Sequence, residues 1–179
     1  RSGNSVSLSA DGTIVAIGAD LYDVDPATSS TNEGRTRIYQ YSSNTSTWSQ
    51  LGQDLIGDPG DNSGRSVSLS ADGTIVAIGA IIHGGTKGTT RIWKYRTVSQ
   101  QEWGNANIFI ATAGQTGVAD AAGNRGEAYS STTKYWIQLG SDIDGGDVID
   151  FSGWSVSLSA DGTIVAIGAS FHSGFKGRT

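Results

Sequence analysis

The chain has 179 residues, with 12 Lys and Arg set against 17 Asp and Glu, a formal net charge of -5. That balance argues against nucleic acid as a partner, because phosphate binding rests on clustered Lys and Arg. Cysteine is absent, which excludes a disulfide framework, a thiolate metal site and a Cys nucleophile; no apolar run approaches the ~18 residues of a membrane span.

Taken from the start, the first ordered pattern is SVSLSADGTIVAIGA, Ser5 to Ala19, and it returns unchanged at Ser66 to Ala80 and Ser155 to Ala169. Repetition at a period of tens of residues marks one supersecondary unit that buries its apolar face against its neighbours. Val6 and Leu8 alternate with Ser5, Ser7 and Ser9, the period of a strand with one face in a core. Thr13 to Ala19 is a denser apolar run, read as a strand covered on both faces. Asp11-Gly12 between them predicts a hairpin closed by a tight primed turn, since Gly takes positive φ freely and Asp tolerates it. Asp72 and Asp161 are turn residues in the same sense.

A polar loop follows, and then two further predicted strands, Gly34 to Tyr41 and Trp48 to Leu55. Their counterparts are Gly88 to Tyr95 after the second copy and Trp136 to Ile143 before the third. Four strands per unit, repeated head to tail without a helical pattern, predict an all-β chain: a β-propeller, or part of one, with four-stranded antiparallel blades. The units fall at 2–62, 63–103, an irregular blade or insertion plus outer strand at 104–151, and a truncated last blade at 152–179. The irregular stretch arises because Tyr129 to Gly140 aligns with Tyr41 to Gly52, so extra residues separate it from Tyr95. Trp48, Trp103 and Trp136 recur at one place and are expected to cover the outer packing of the blade. Three blades do not close a ring, so the chain reads as a piece of a longer propeller or as one that associates with itself through open blade edges.

The unit Ser-Gly-x-SVSLSADGTIVAIGA, at Ser2 to Ala19, Ser63 to Ala80 and Ser152 to Ala169, resembles the FG-GAP repeat of integrin-α-like propellers. In that family Phe-Gly opens the inner strand and Gly-Ala-Pro closes the second. Here Ser replaces the Phe, and Asp20, Ile81 and Ser170 stand where the Pro would be. The family's calcium loop is reduced to one Asp and one Gly, too few oxygen ligands for calcium. LSADGTIVAIGA is also similar to the strand pair of Trp-Asp-repeat propellers. The resemblance implies a non-enzymatic, extracellular or cell-surface recognition or adhesion module that binds protein or glycan through its loops. Asn44-Thr45-Ser46, a glycosylation sequon in an expected exposed turn, fits that location.

Apart from Trp154, the candidate site residues lie in the loop after each unit's second strand, on one face of the scaffold. Asp20, Asp23 and Asp25 could offer carboxylate oxygens to a hard cation such as calcium, although their spacing is not that of a calcium loop. His83 and Lys87 recur as His172 and Lys176 and could share a ligand, or simply be duplicated, solvated loop residues. Trp154 stands where the other copies have Asn4 and Arg65, so the fold does not require it and a sugar-stacking or partner-contact role is open. Asp54, Asp58 and Asp61, like Asp142, Asp144 and Asp147, could offer carboxylates to a cation in the same way, but they sit among glycines and read more readily as turn residues. No catalytic residue, metal site or cofactor is assigned. Two alternatives remain: a fragment of a carbohydrate-active propeller enzyme, or a structural, self-assembling repeat protein.

Overall fold

The computed structural model describes residues 2–24, 31–97, 132 and 134–171. Its regular structure is almost entirely strand. The first meander comprises β1 (Ser5–Leu8), β2 (Ile14–Ala19), β3 (Arg35–Ser42), β4 (Thr47–Gln50) and β5 (Leu55–Ile56). The second comprises β6 (Ser63–Leu69), β7 (Ile75–Ala80), β8 (Thr89–Thr97), β9 (Lys134–Gln138) and β10 (Ile143–Asp144), with one helical turn, α1 (His83–Thr86), after β7. β11 (Ser152–Leu158) and β12 (Val165–Ala169) form a third, two-stranded sheet. The chain is therefore all-β, built from antiparallel meanders.

Each expected fourth strand is two short pieces, β4 with β5 and β9 with β10, and both pieces pair with the third strand of their own sheet. Gly52 and Gly140 stand at the break, each with a positive φ that turns the chain out of the extended conformation. β9 pairs directly with β8, so Lys134–Gln138 completes the second sheet. Trp103 and the rest of 98–131 lie outside the described residues.

The hairpin turn differs from the primed turn expected of Asp-Gly. Only Gly12 has a positive φ, and its N–H donates to the Ser9 carbonyl at 3.0 Å. Asp11 stays in the ordinary region because its side chain has another task. Its Oδ1 accepts from the Ser9 hydroxyl at 2.7 Å, the Thr13 N–H at 2.9 Å and the Thr13 hydroxyl at 2.9 Å. Asp72 and Asp161 repeat the arrangement with Ser70 and Thr74 and with Ser159 and Thr163. All three carboxyls are held below their ordinary value; for Asp161 the bonds from Ser159 and Thr163 bring it to about 2.

The sheets stack in order, and the serines of the repeat connect them. Ser5 Oγ donates to the Gly64 carbonyl at 2.8 Å, and Ser66 Oγ does the same to Gly153 at 2.7 Å. Ser7 Oγ accepts the Leu69 N–H at 2.9 Å, and Ser68 Oγ the Leu158 N–H at 2.9 Å. At the turns, Ala10 N–H donates to Ala71 and Ala71 N–H to Ala160, both at 2.8 Å. Glycine is needed where these strands approach: a Cβ on Gly18 would collide with the Gly64 carbonyl, and one on Gly79 with that of Gly153. Between the first two sheets lies the core, with Ile14, Ala16, Ile38 and Leu55 facing Val67, Leu69, Val76, Ile78 and Trp136.

Candidate functional site

The loops after β2 and β7 and those before β6 and β11 gather at one end of the sheets, because Ser63 pairs with Ala80 and Ser152 with Ala169. Among the described residues, the densest polar cluster at this end lies at the junction of the first two sheets. Arg91, on β8, presents its guanidinium to the loop before β6. Its Nη1 donates to Asp61 Oδ2 at 2.8 Å, its Nη2 to Asp58 Oδ2 at 2.7 Å and its Nε to Asp142 Oδ2 at 2.8 Å. His83, from α1, donates through Nδ1 to Asp61 Oδ1 at 2.8 Å, since an ionised carboxylate can only accept. Gln138 completes the shell, donating to Asp142 at 2.7 Å. Burial lowers the affinity of Arg91 for its proton, but Asp61, Asp142 and Asp58 outweigh it and hold the guanidinium above its ordinary value.

The first sheet carries the same arrangement in a simpler form. Arg37 occupies the register of Arg91, and its Nε donates to Asp54 Oδ1 at 2.9 Å. Arg35 reaches Asp54 Oδ2 at 3.2 Å, and Gln50 donates to Oδ1 at 2.8 Å. Burial raises the Asp54 carboxyl, but Arg37, Gln50 and Arg35 overcome it and leave the group below its ordinary value. Of the aspartates read from sequence as turn residues, Asp54, Asp58, Asp61 and Asp142 are thus the anchors of two ion-pair centres. The signal was available: Gln-Leu-Gly-x-Asp occurs at Gln50 to Asp54 and at Gln138 to Asp142, and Arg37 and Arg91 share a position in the third strand.

Asp20 and Asp23 do not converge on a common ion. Asp20 is buried and faces Arg65 at 3.5 Å, with Oδ1 unpartnered among the described residues, while Asp23 Oδ1 accepts the Asn32 N–H at 2.7 Å and closes its own loop. Asp25, His172 and Lys176 lie outside the described residues. Lys87 is exposed, and its carbonyl accepts from the Ser152 N–H at 2.9 Å. Among the described residues, two groups have ligand atoms close enough to hold a metal: Asp58, Asp61 and His83, and His83, Asp142 and Asp144. The guanidinium of Arg91 bonds Asp58 and Asp61 of the first group and Asp142 of the second.

Trp154 is part of a line of side chains that crosses all three sheets. The Arg65 guanidinium, which pairs with Asp20, lies 4.5 Å above the Trp154 ring, and Asn4 Nδ2 donates to the Arg65 carbonyl at 3.3 Å. Phe151 and Phe171 meet the indole edge-on at 6.4 and 6.2 Å. One face of the ring is therefore used by a cation, and the indole remains partly exposed. The loop before β11 exposes Val148 and Ile149, and Ile149 has φ 73, an uncommon backbone for a β-branched residue. Sequence reading passed over Val148 and Ile149.

Compared with known proteins, the chain matches no family model and no curated protein. No helix among the described residues is long and apolar enough to cross a membrane.

Proposed function

We propose that the chain is a run of β-propeller blades similar to FG-GAP repeats, acting as a non-enzymatic, extracellular or cell-surface recognition module. The meander order of the two larger sheets and the recurrence of the same cross-sheet contacts favour blades arranged around an axis. The recognition half rests on one observation: the end where the connecting loops gather exposes Val148, Ile149 and Trp154, the last of these stacked under Arg65. Aromatic and arginine side chains together are common anchors in protein interfaces, and an indole edge can also pack against a sugar. Holding Ile149 at positive φ costs of order 1–3 kcal/mol, a strain that loops retain where it positions a binding surface. The exposed sequon turn at Asn44, at the other end of the sheets, is compatible with a secreted or surface location.

The test is an array of immobilised glycans and extracellular-matrix proteins probed with the 179-residue chain. Binding that disappears in a Val148→Ser/Ile149→Ser double variant and survives Asn44→Ala is the expected result. No binding, or binding that depends on Asn44 instead, would overturn the reading; cleavage of an arrayed glycan would replace it with the enzymatic one.

A further inference from the structure

The two outer faces of the stack are the two halves of a contact that the chain makes twice internally. On the first sheet, Val6 and Leu8 are 64% and 60% exposed, whereas Val67 and Leu69, the same residues of the next copy, are 8% and 7% exposed. On the third sheet, Ile164 is 69% exposed, whereas its first-copy counterpart Ile14 is 8% exposed. Ile14 packs on Gly73 and Ile75 on Gly162, the turn glycine of the following unit in each case. Ile164 is the third member of that series and has no following unit among the described residues.

The polar contacts show the same asymmetry. Ser155 and Ser157 are exposed, while Ser66 and Ser68 bond Gly153 and Leu158 of the unit ahead. A Cβ placed on Gly18 or Gly79 meets the backbone of the unit ahead; one placed on Gly168 meets only Ser155 of its own hairpin. At the other outer face, Gly3 has nothing within 4 Å of its Cβ direction, unlike its counterparts Gly64 and Gly153.

From these complementary halves we infer that the β1–β2 hairpin is a docking site for the β11–β12 hairpin of a second copy of this chain. The contact is heterologous, joining the back of one copy to the front of the next, so it generates either a ring or a filament. The occupant is set by continuity with the internal junctions: Ser155 Oγ would donate to the Gly3 carbonyl, Ser157 Oγ would accept the Leu8 N–H, and Ile164 would cover Gly12. It rests on the inter-sheet contacts alone and is independent of any ligand at the loop end.

The test is the mass of the full chain by light scattering, measured up to about 1 mM, where even a weak association is half formed. The wild type is expected to grow in mass with concentration. Leu8→Asp, blocked at the front, and Ile164→Asp, blocked at the back, should each be monomeric. Mixed together, they should form a dimer and nothing larger, because each supplies the surface that the other has lost. Both positions are exposed, so circular dichroism and the urea midpoint should match the wild type; Gly168→Ala provides a second block without added charge. A wild type that stays monomeric throughout would overturn the proposal. So would association that persists in both variants, or association that is lost in Leu8→Asp but kept in Ile164→Asp, which would mean a symmetric contact.

Discussion

Val6 and Leu8 on the first sheet and Val67 and Leu69 on the second belong to identical stretches of sequence, yet the first pair faces solvent and the second lies in the core. The difference is the sheet on the other side. β6 has the Ile14, Ala16 and Ile38 face of the first sheet against it; no described residue covers β1 in that way. The ion pairs follow the same rule. Arg91 draws carboxylates from its own sheet and from the loop of the preceding one, whereas Arg37, at the same register, has among the described residues only Asp54 of its own sheet. In a repeat protein the energetic role of a residue is a property of the junction and not of the unit.

Paired substitutions sharpen that comparison. The largest expected effect is at the tryptophans. Trp136 is fully buried, with its indole N–H on the Leu51 carbonyl at 2.8 Å and Gln53 bonded to its backbone. Trp136→Ala should cost about 3–5 kcal/mol in urea unfolding. Trp48, at the same register against Tyr41, is half exposed, and Trp48→Ala should cost under about 1 kcal/mol. Equal losses would break the comparison.

Arg91→Ala leaves Asp61 buried beside Asp142 without their guanidinium and should cost about 3–5 kcal/mol, the range for removing one partner of a buried pair. Arg37→Ala leaves Asp54 with Arg35 and Gln50, so a loss of about 1 kcal/mol is expected. Chemical denaturation of both variants checks the ratio. Leu69→Ala should cost about 2–5 kcal/mol and Leu8→Ala within about 0.5 kcal/mol of zero, for the same reason.

Smaller effects are expected from the connecting hydroxyls. Ser7→Ala leaves the Leu69 N–H without its acceptor, at a cost of about 1–3 kcal/mol, whereas Ser157→Ala has no such donor to strand within the monomer. The smallest effect is in the pH dependence of the turns. Asp161 is depressed to about 2, below the ordinary 3.8, so its hydrogen bonds stabilise the fold fully above about pH 4. That contribution is lost as the pH falls towards 2. Thermal melting between pH 5 and 2 should therefore show an acid-side decline that Asp161→Asn makes shallower; an unchanged slope would remove the turn carboxylate from the account.

The repeat made much of the fold legible. Alternation in Ser5 to Leu8 and the apolar run after Gly12 give the hairpin, and the recurrent third strands give the meander. The turn type was misread because Asp-Gly is a signal about backbone φ, while Asp11 acts through its side chain on Ser9 and Thr13. The break in the fourth strand was marked by Gly52 and Gly140, which look like ordinary strand glycines until both halves are seen to pair with one neighbour. At the loop end, Asp20 and Trp154 were singled out but not their link through Arg65, because cation and ring come from different units.

By itself the sequence determined the local structure: which residues alternate, where the chain turns, and that each unit must seek a neighbour for its apolar side. Those properties depend on contacts a few residues apart, which order along the chain encodes directly. Only the tertiary structure decided which serines carry the sheets, which aspartates anchor an arginine and which copy of Leu8 is buried. Each of those depends on residues distant along the chain: about sixty or more positions for the serines, and 17 to 51 for the ion pairs, which sheet pairing and the stacking of one sheet on the next bring together.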